Sequence, residues 1–129
     1  MKLFNKILIA NRGEIAVRII RTLRKMGIPS VVVFSSRDKN AFHVSLADEA
    51  FDLGGNELSE TYLDIEKIIN IASQSGVDGI HPGYGFLSEN AAFAKAVSES
   101  GINFIGPTHE LIELMGDKIA ARKTMREID

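Results

Sequence analysis

The sequence of 129 residues contains no cysteine and no tryptophan, and it has only three prolines. Without cysteine there is no disulfide framework, no thiolate zinc site and no cysteine nucleophile; this composition suits a reducing compartment, and we expect a cytoplasmic protein. No apolar run approaches the ~18 residues of a membrane helix, and the run at residues 7–10 is too short for the core of a signal peptide. The length indicates one soluble domain, too small for a multi-domain catalytic machine.

Acidic residues are scarce in the first third of the chain, although the whole carries 15 Lys+Arg against 17 Asp+Glu, a net charge of −2. Residues 1–40 hold nine basic and two acidic side chains, whereas residues 41–117 hold two basic and thirteen acidic ones. This asymmetry is typical either of solvated faces on different helices or of a surface for a charged partner. The pI near 5.9, together with basic residues that are not interleaved with aromatics, argues against nucleic acid as the partner.

Apolar β-rich runs alternate with segments of helical periodicity along the chain. The pattern predicts strands at residues 6–11, 30–34, 49–53, 78–81 and 102–105. It predicts helices at about residues 15–26, 44–47, 62–75, 90–100 and 111–128. In the first helix, Ile15, Ile19, Leu23 and Met26 keep helical spacing, and Ser88 is the expected N-cap of the fourth. The chain is therefore predicted to be α/β, with a Rossmann-like, doubly wound and mainly parallel sheet of about five strands flanked by helices.

In such sheets ligands bind beyond the carboxyl ends of the strands, so the loops at residues 11–13, 35–37 and 81–88 are the candidate functional segments. The first loop has one glycine and lacks the others that would admit a pyrophosphate, which favours a structural or surface role over a dehydrogenase site. The third is the most informative, because two glycines flank Tyr84 and aromatic and polar residues crowd the same edge. A binding role and a purely structural role both remain open for it.

The three histidines stand alone in the sequence. His81 has no second histidine, serine or aspartate at a recognisable spacing, which is typical of a hydrogen-bonded structural histidine rather than a base. His43 and His109 are equally isolated, and no metal site is predicted.

One face of the first helix is basic. Arg18, Arg21 and Lys25 share it, and Glu14 supplies one favourable i,i+4 partner for Arg18. Such a face is either solvated or a contact with a partner or a second subunit.

Several motifs together resemble one known family. They are, in chain order, Ile9 to Ala16, Phe34-Ser35-Ser36, Ala47-Asp48-Glu49, His81 to Asn90, Phe104 to Pro107 and Met115 to Lys118. Taken in this order, they resemble the amino-terminal part of biotin carboxylase, the ATP-dependent component of acetyl-CoA, propionyl-CoA and pyruvate carboxylases.

This resemblance implies an activity that needs more chain than the 129 residues. Family members use Mg-ATP to activate bicarbonate and then carboxylate N1 of biotin on a biotin carboxyl carrier protein or domain, which works with a carboxyltransferase subunit. By resemblance, Lys118 reaches the ATP phosphates, and Tyr84 and Gly85 line the biotin side of the site. The helix with Arg18, Arg21 and Lys25 would form the family's homodimer contact, while the catalytic groups lie outside residues 1–129.

The resemblance also divides the chain. Residues 1–115 would be the amino-terminal α/β domain, and residues 116–129 the helical start of a connection to an ATP-grasp domain. By itself such a chain is expected to be inactive and to hold no cofactor tightly. Two alternatives stay open: a non-catalytic nucleotide-sensing or interaction module, and a different ATP-grasp ligase of the carbamoyl-phosphate or D-alanine type.

Overall fold

The computed structural model describes residues 4–106 and Ile112. The strands are β1 (Ile7–Ile9), β2 (Ser30–Phe34), β3 (Glu49–Asp52), β4 (Gly79–His81) and β5 (Asn103–Phe104). The helices are α1 (Gly13–Lys25), α2 (Phe42–Leu46), α3 (Ile65–Ser75) and α4 (Ala91–Glu99). Single turns of 3-10 helix lie at Ser36–Asp38 and Leu58–Glu60. The predicted alternation of strands and helices is confirmed over this part of the chain.

The five strands form one parallel sheet in the order β3-β2-β1-β4-β5. From the central β1 the chain adds β2 and β3 on one side and then crosses to add β4 and β5 on the other. The predicted doubly wound fold is confirmed. Because the direction of winding reverses between β1 and β4, the position where such sheets bind ligands lies at the carboxyl ends of these two strands.

Each face of the sheet carries its own apolar core. Alternate residues of β1 point to opposite faces, so Leu8 joins the core under α3 and α4, whereas Ile7 and Ile9 join the core under α1 and α2. All three are buried, as expected for a central strand covered on both sides. This burial fixes β1 as the rigid base from which the first candidate loop departs.

Two predicted helix starts are wrong. Helix α3 begins at Ile65, after an Asp64 cap that accepts a hydrogen bond from the Lys67 amide, and Tyr62 lies ahead of it in the core. Helix α4 is capped by Asn90, whose side chain accepts from the Phe93 amide, rather than by Ser88. The helical pattern predicted from Tyr62 onward therefore extends into the loop ahead of α3, where Tyr62 is buried in the core.

The buried stripe of α1 is also displaced from the predicted one. Leu23 is buried as expected, but it packs with Ala16 and Ile20. Ile15, Ile19 and Met26 instead line an open apolar groove of about 430 Å³ beside the strand end at Ile105. Among the described residues, no helix covers this side of β4 and β5, because α1 and α2 pack over β1 and β2.

Several predictions fall on residues that the structure does not describe. These are His109, Lys118, the helix predicted at residues 111–128 apart from Ile112, and the helical connection at residues 116–129. Within the described ranges, no helix has the length and apolar character needed to cross a membrane.

Candidate functional site

The loop at residues 82–88, at the carboxyl end of β4, is hydrogen-bonded to Asn11, two residues beyond the end of β1. Asn11 is buried, and its side-chain amide donates to the carbonyl oxygens of Pro82 at 2.9 Å and Tyr84 at 2.8 Å. Its side-chain oxygen accepts from the Arg12 amide at 2.8 Å. Both donor hydrogens and the acceptor of Asn11 are therefore used, as a buried amide requires.

The backbone of this loop approaches Asn11 closely. Gly83 has φ +69°, and a Cβ there would lie 2.7 Å from Asn11 Nδ2 and 2.8 Å from Ile15 Cγ2. Only glycine fits this position, both for its left-handed backbone and for the space. Gly85 has a similar φ of +71° but nothing within 4 Å of an added Cβ, so its surroundings are open.

Arg12, next to Asn11, extends to a different loop. Its Nε and Nη2 donate to the two carboxylate oxygens of Asp38, each at 2.7 Å. Asp38 Oδ2 also accepts from the Tyr62 hydroxyl at 2.6 Å and the Ser35 hydroxyl at 3.3 Å. The two-point pair with Arg12 holds the pKa of Asp38 far below its usual value and raises that of Arg12. Burial, with the hydrogen bond to Asp38, raises the pKa of Tyr62.

The cluster of Arg12, Asp38 and Tyr62 contacts the loop at residues 82–88 through an aromatic ring. The rings of Tyr62 and Phe86 stack, with centroids 5.3 Å apart and an angle of 11° between planes. Phe86 is the non-glycine residue with positive φ in the described chain, at +46°. An αL backbone at a bulky residue is strained and persists where its surroundings hold it. The Tyr62 ring is the contact that supports it here.

Tyr84 itself stays in solvent. Its side chain is 76% exposed, although the backbone on both sides of it is held. A cleft of about 440 Å³ lies between this loop and the start of α1, lined by Asn11, Arg12, Gly13, Glu14, Ile15, Tyr84, Gly85 and Phe86. The carboxyl edge thus presents an ordered backbone and a free aromatic ring beside an open cleft, an arrangement suited to binding a small planar group.

The histidines of the described region have structural roles. His81 Nδ1 accepts from the Gly83 amide at 3.0 Å, as expected for a structural histidine, and burial lowers its pKa. His43 is fully buried, and its Nε2 lies 3.3 Å from the Val33 carbonyl oxygen, which assigns the proton to Nε2. Its Nδ1 has no partner and burial lowers its pKa. The described residues contain no group of three potential metal ligands.

The basic face of α1 is exposed in this chain. Arg18, Arg21 and Lys25 all lie on the surface. Arg18 Nη2 contacts Glu14 Oε1 at 3.0 Å, which confirms the predicted i,i+4 pair. Arg24, by contrast, donates to the Leu46 carbonyl oxygen at 2.6 Å and ties α1 to α2. Arg18 also lines the apolar groove that Tyr84 borders, so this face adjoins the loop with Tyr84 at its Arg18 end.

The fold and this edge define a class of protein: a doubly wound α/β domain with a loop-built edge at the switch point, where sheets of this kind bind ligands. Comparison with known proteins narrows the class. The sequence profile of the biotin carboxylase N-terminal domain matches residues 3–112, and the chain belongs to the biotin carboxylase family.

Individual relatives agree with this assignment. A biotin carboxylase of Halalkalibacterium halodurans is 57% identical over 124 residues, which are 96% of this chain and 27% of that protein. The crystal structure of the biotin carboxylase subunit of pyruvate carboxylase superposes with TM-score 0.87 at 53% identity, over 97% of this chain and 28% of that one.

A third relative was crystallised with ligands. It is the biotin carboxylase domain dimer of the Hydrogenobacter thermophilus 2-oxoglutarate carboxylase, in complex with MgADP, ADP and bicarbonate, with TM-score 0.88 and 46% identity over 98% of this chain and 28% of that one. The chain thus spans a little over a quarter of the length of each of these three relatives.

The residues that organise this edge were not all visible in the sequence. The resemblance in sequence predicted Tyr84 and Gly85 as site residues, and in the structure both line the cleft beside the start of α1. Asn11 was assigned a structural or surface role, and its buried hydrogen bonds confirm a structural one. Asp38 and Tyr62 were missed, the first because it lies in a polar connection and the second because its position continues a helical pattern. A buried strand that ends on Asn-Arg is a signal that could have pointed to Asn11, because a buried amide needs specific partners.

Proposed function

We propose that the chain is the amino-terminal domain of an ATP-dependent biotin carboxylase, which uses Mg-ATP and bicarbonate to carboxylate N1 of biotin on a carrier protein or domain. The observation that carries the proposal is the match of residues 3–112 to the family's amino-terminal domain. Its relatives include a biotin carboxylase and the corresponding subunit of pyruvate carboxylase. The final carboxyl acceptor is chosen by a carboxyltransferase partner and is not part of this proposal.

On this proposal, the loop with Tyr84 and Gly85 faces biotin. The exposed Tyr84 ring can cover a planar ureido ring, and the open space at Gly85 lets the ligand approach the backbone. Bound biotin supplies the nitrogen that is carboxylated. What this part of the chain contributes is orientation and exclusion of water on one side of the ring.

The nucleotide is assigned to the other end of the chain. Lys118 is proposed to contact the ATP phosphates, as an ammonium on a flexible stem suits a phosphate. The MgADP and bicarbonate bound to the Hydrogenobacter relative support a nucleotide site in the family. Residues 1–115 then form the amino-terminal domain and residues 116–129 lead to the ATP-grasp domain.

Two further features belong to the proposal. Arg18, Arg21 and Lys25 are assigned to a homodimer contact, supported by their exposure and by the dimer of the Hydrogenobacter relative. The partners are a biotin carboxyl carrier protein or domain and a carboxyltransferase subunit, and the location is the cytoplasm.

The proposal is tested on the protein read from the complete gene that encodes this chain. Phosphate release from ATP should require bicarbonate and rise with free biotin. Nucleotide binding without biotin-dependent hydrolysis would favour the nucleotide-sensing module instead. Hydrolysis that depends on ammonia or D-alanine but not on biotin would favour another ATP-grasp ligase.

The 129-residue chain provides a second test. Because Lys118 is the one residue of this chain assigned to the nucleotide, Mg-ATP should bind with a millimolar Kd or weaker, roughly −4 kcal/mol. Calorimetry that gives a micromolar Kd would contradict the assignment of most nucleotide contacts to other domains.

A further inference from the structure

We propose that Asn11 is a positioning residue for the loop at residues 82–88, with Arg12, Asp38 and Tyr62 as its second anchor. The inference deepens the proposed function, since it rests on the role of Tyr84 and Gly85 in facing biotin. Neither anchor touches the proposed ligand. Each acts by fixing the backbone that carries the Tyr84 ring.

The first anchor is the side-chain amide of Asn11. It bridges the carbonyl oxygens of Pro82 and Tyr84, and so fixes the orientation of the peptide group before Gly83 and of the one after Tyr84. Asn11 follows β1, the most buried strand of the sheet, so this anchor is rigid. Aspartate is nearly the same size but would replace the two donors with acceptors facing two carbonyl oxygens.

The second anchor begins at the neighbouring residue. The Arg12 guanidinium holds Asp38, Asp38 accepts the hydroxyl hydrogen of Tyr62, and the Tyr62 ring stacks on Phe86. Phe86 thereby keeps its left-handed backbone two residues after Tyr84. Asn11 and Arg12, which are consecutive and follow β1, thus hold the loop on both sides of the exposed Tyr84 ring.

The distribution of exposure distinguishes positioning from simple stabilisation. The anchors are buried or paired, whereas the Tyr84 side chain between them is 76% exposed and does not pack in the core. A fixed backbone beneath a free aromatic ring reduces the entropy lost when a ligand is bound, which is the advantage of a preorganised site.

The first experiment is amide hydrogen exchange on the 129-residue chain, comparing Asn11→Asp, Tyr62→Phe and the control Asn103→Ala. Asn103 also donates its side-chain amide to a backbone carbonyl, that of Asp78, but lies away from the loop. In Asn11→Asp the amides of Gly83 and Ser88 in the loop, and of Asn90 just beyond it, should exchange at least ~10-fold faster, with α3 unchanged, because loss of the first anchor opens the loop locally. The control should leave them unchanged.

The Tyr62→Phe variant keeps the test decisive if Asn11→Asp unfolds the chain. Phenylalanine retains the stacked ring and removes only the hydroxyl that joins it to Asp38, so the loop should exchange about threefold faster or more, a local opening effect. Loop exchange at the wild-type rate in the folded variants would overturn the proposal.

The second experiment uses the complete carboxylase. Asn11→Asp should raise the KM for free biotin about fivefold or more and leave the KM for Mg-ATP within about twofold, as expected when one ligand's positioning is lost. An equal rise in both values would overturn the positioning role. If the wild-type protein shows no biotin-dependent activity, the proposed function fails, while the exchange experiment still decides whether Asn11 holds the loop.

Discussion

Arg12 and Asp38 form a two-point ion pair, with Nε to Oδ2 and Nη2 to Oδ1 each at 2.7 Å, across 26 residues of sequence. Because the fork of a guanidinium matches the two oxygens of a carboxylate, this pair is a geometric link as well as an electrostatic one. It joins the loop after β1 to the turn after β2, and through Tyr62 it reaches the loop of Tyr84.

Replacing Arg12 by lysine tests the geometric part of this link. Arg12→Lys keeps the charge but loses the fork, and with Asp38 only 11% exposed it should lower the free energy of unfolding, by about 1–2 kcal/mol. Arg18→Lys is the matched control, since its pair with Glu14 is 77% exposed on both sides and should change stability by less than about 0.5 kcal/mol. Urea unfolding followed by circular dichroism measures both, and equal effects would contradict the account.

Acidification tests two buried groups. The pKa of Asp38 in the folded chain lies below its unfolded value because Arg12 binds the carboxylate. The contribution of Asp38 to the free energy of unfolding is therefore complete above pH ~4 and is lost as the pH falls toward the folded pKa. Burial lowers the pKa of His43 as well, so stability should begin to fall below pH ~6.5, when the unfolded chain takes up the proton first.

As the pH falls from 7, the free energy of unfolding is therefore expected to decline in two stages, the first from His43 and the second from Asp38. His43→Gln should flatten the part of the curve that begins near pH ~6.5. A single histidine can lower the free energy of unfolding there by at most about 1.4 kcal/mol for each pH unit. Burial lowers the pKa of His81 too, so His81→Gln is needed to divide this stage between the two residues. Asp38→Asn should be less stable at neutral pH and should lack the stage below pH ~4. A wild-type curve that is flat from pH 7 to 4 would contradict the burial of His43 as a neutral group.

Gly83 and Gly85 provide a matched pair of substitutions. Both have φ near +70°, so alanine at either position carries a similar backbone strain, on the order of 1 kcal/mol. Only at Gly83 would the new Cβ meet Asn11 and Ile15, so Gly83→Ala should cost about 1–3 kcal/mol more than Gly85→Ala. Thermal unfolding of the two variants measures the difference, and equal melting temperatures would show that the loop does not rest on Asn11.

Charge reversal tests the proposed dimer contact. Arg21→Glu places a negative charge in the basic face of α1 and should shift the complete protein toward monomer in sedimentation, because a surface complementary to this face is acidic and would repel the new carboxylate. Lys95→Glu is the control, since Lys95 is an exposed lysine of α4, away from that face. A dimer unaffected by Arg21→Glu would remove this face from the interface.

The fold was largely predictable from the sequence, whereas the organisation of the site was not. The buried β-rich run around Leu8 and the regular spacing of Ile68 and Ala72 reflect local periodicity, which a sequence displays directly. The partnership of Arg12 with Asp38 depends on the side-by-side placement of β1 and β2, and local patterns contain no information about it. Ile15 and Met26, which line the open groove, were misplaced for a related reason. Periodicity identifies an apolar face of a helix but not which part of that face the neighbouring elements cover.

The central claim is that the loop held by Asn11 presents Tyr84 to biotin. It is tested most directly by the biotin dependence of ATP hydrolysis in the complete protein carrying Tyr84→Ala, with Phe42→Ala as the control at another exposed aromatic, 58% accessible. The account predicts that kcat/KM for biotin falls about tenfold or more in Tyr84→Ala, the effect of losing an aromatic contact in the transition state, and that Phe42→Ala resembles the wild type. Equal kcat/KM values for the two variants would contradict it.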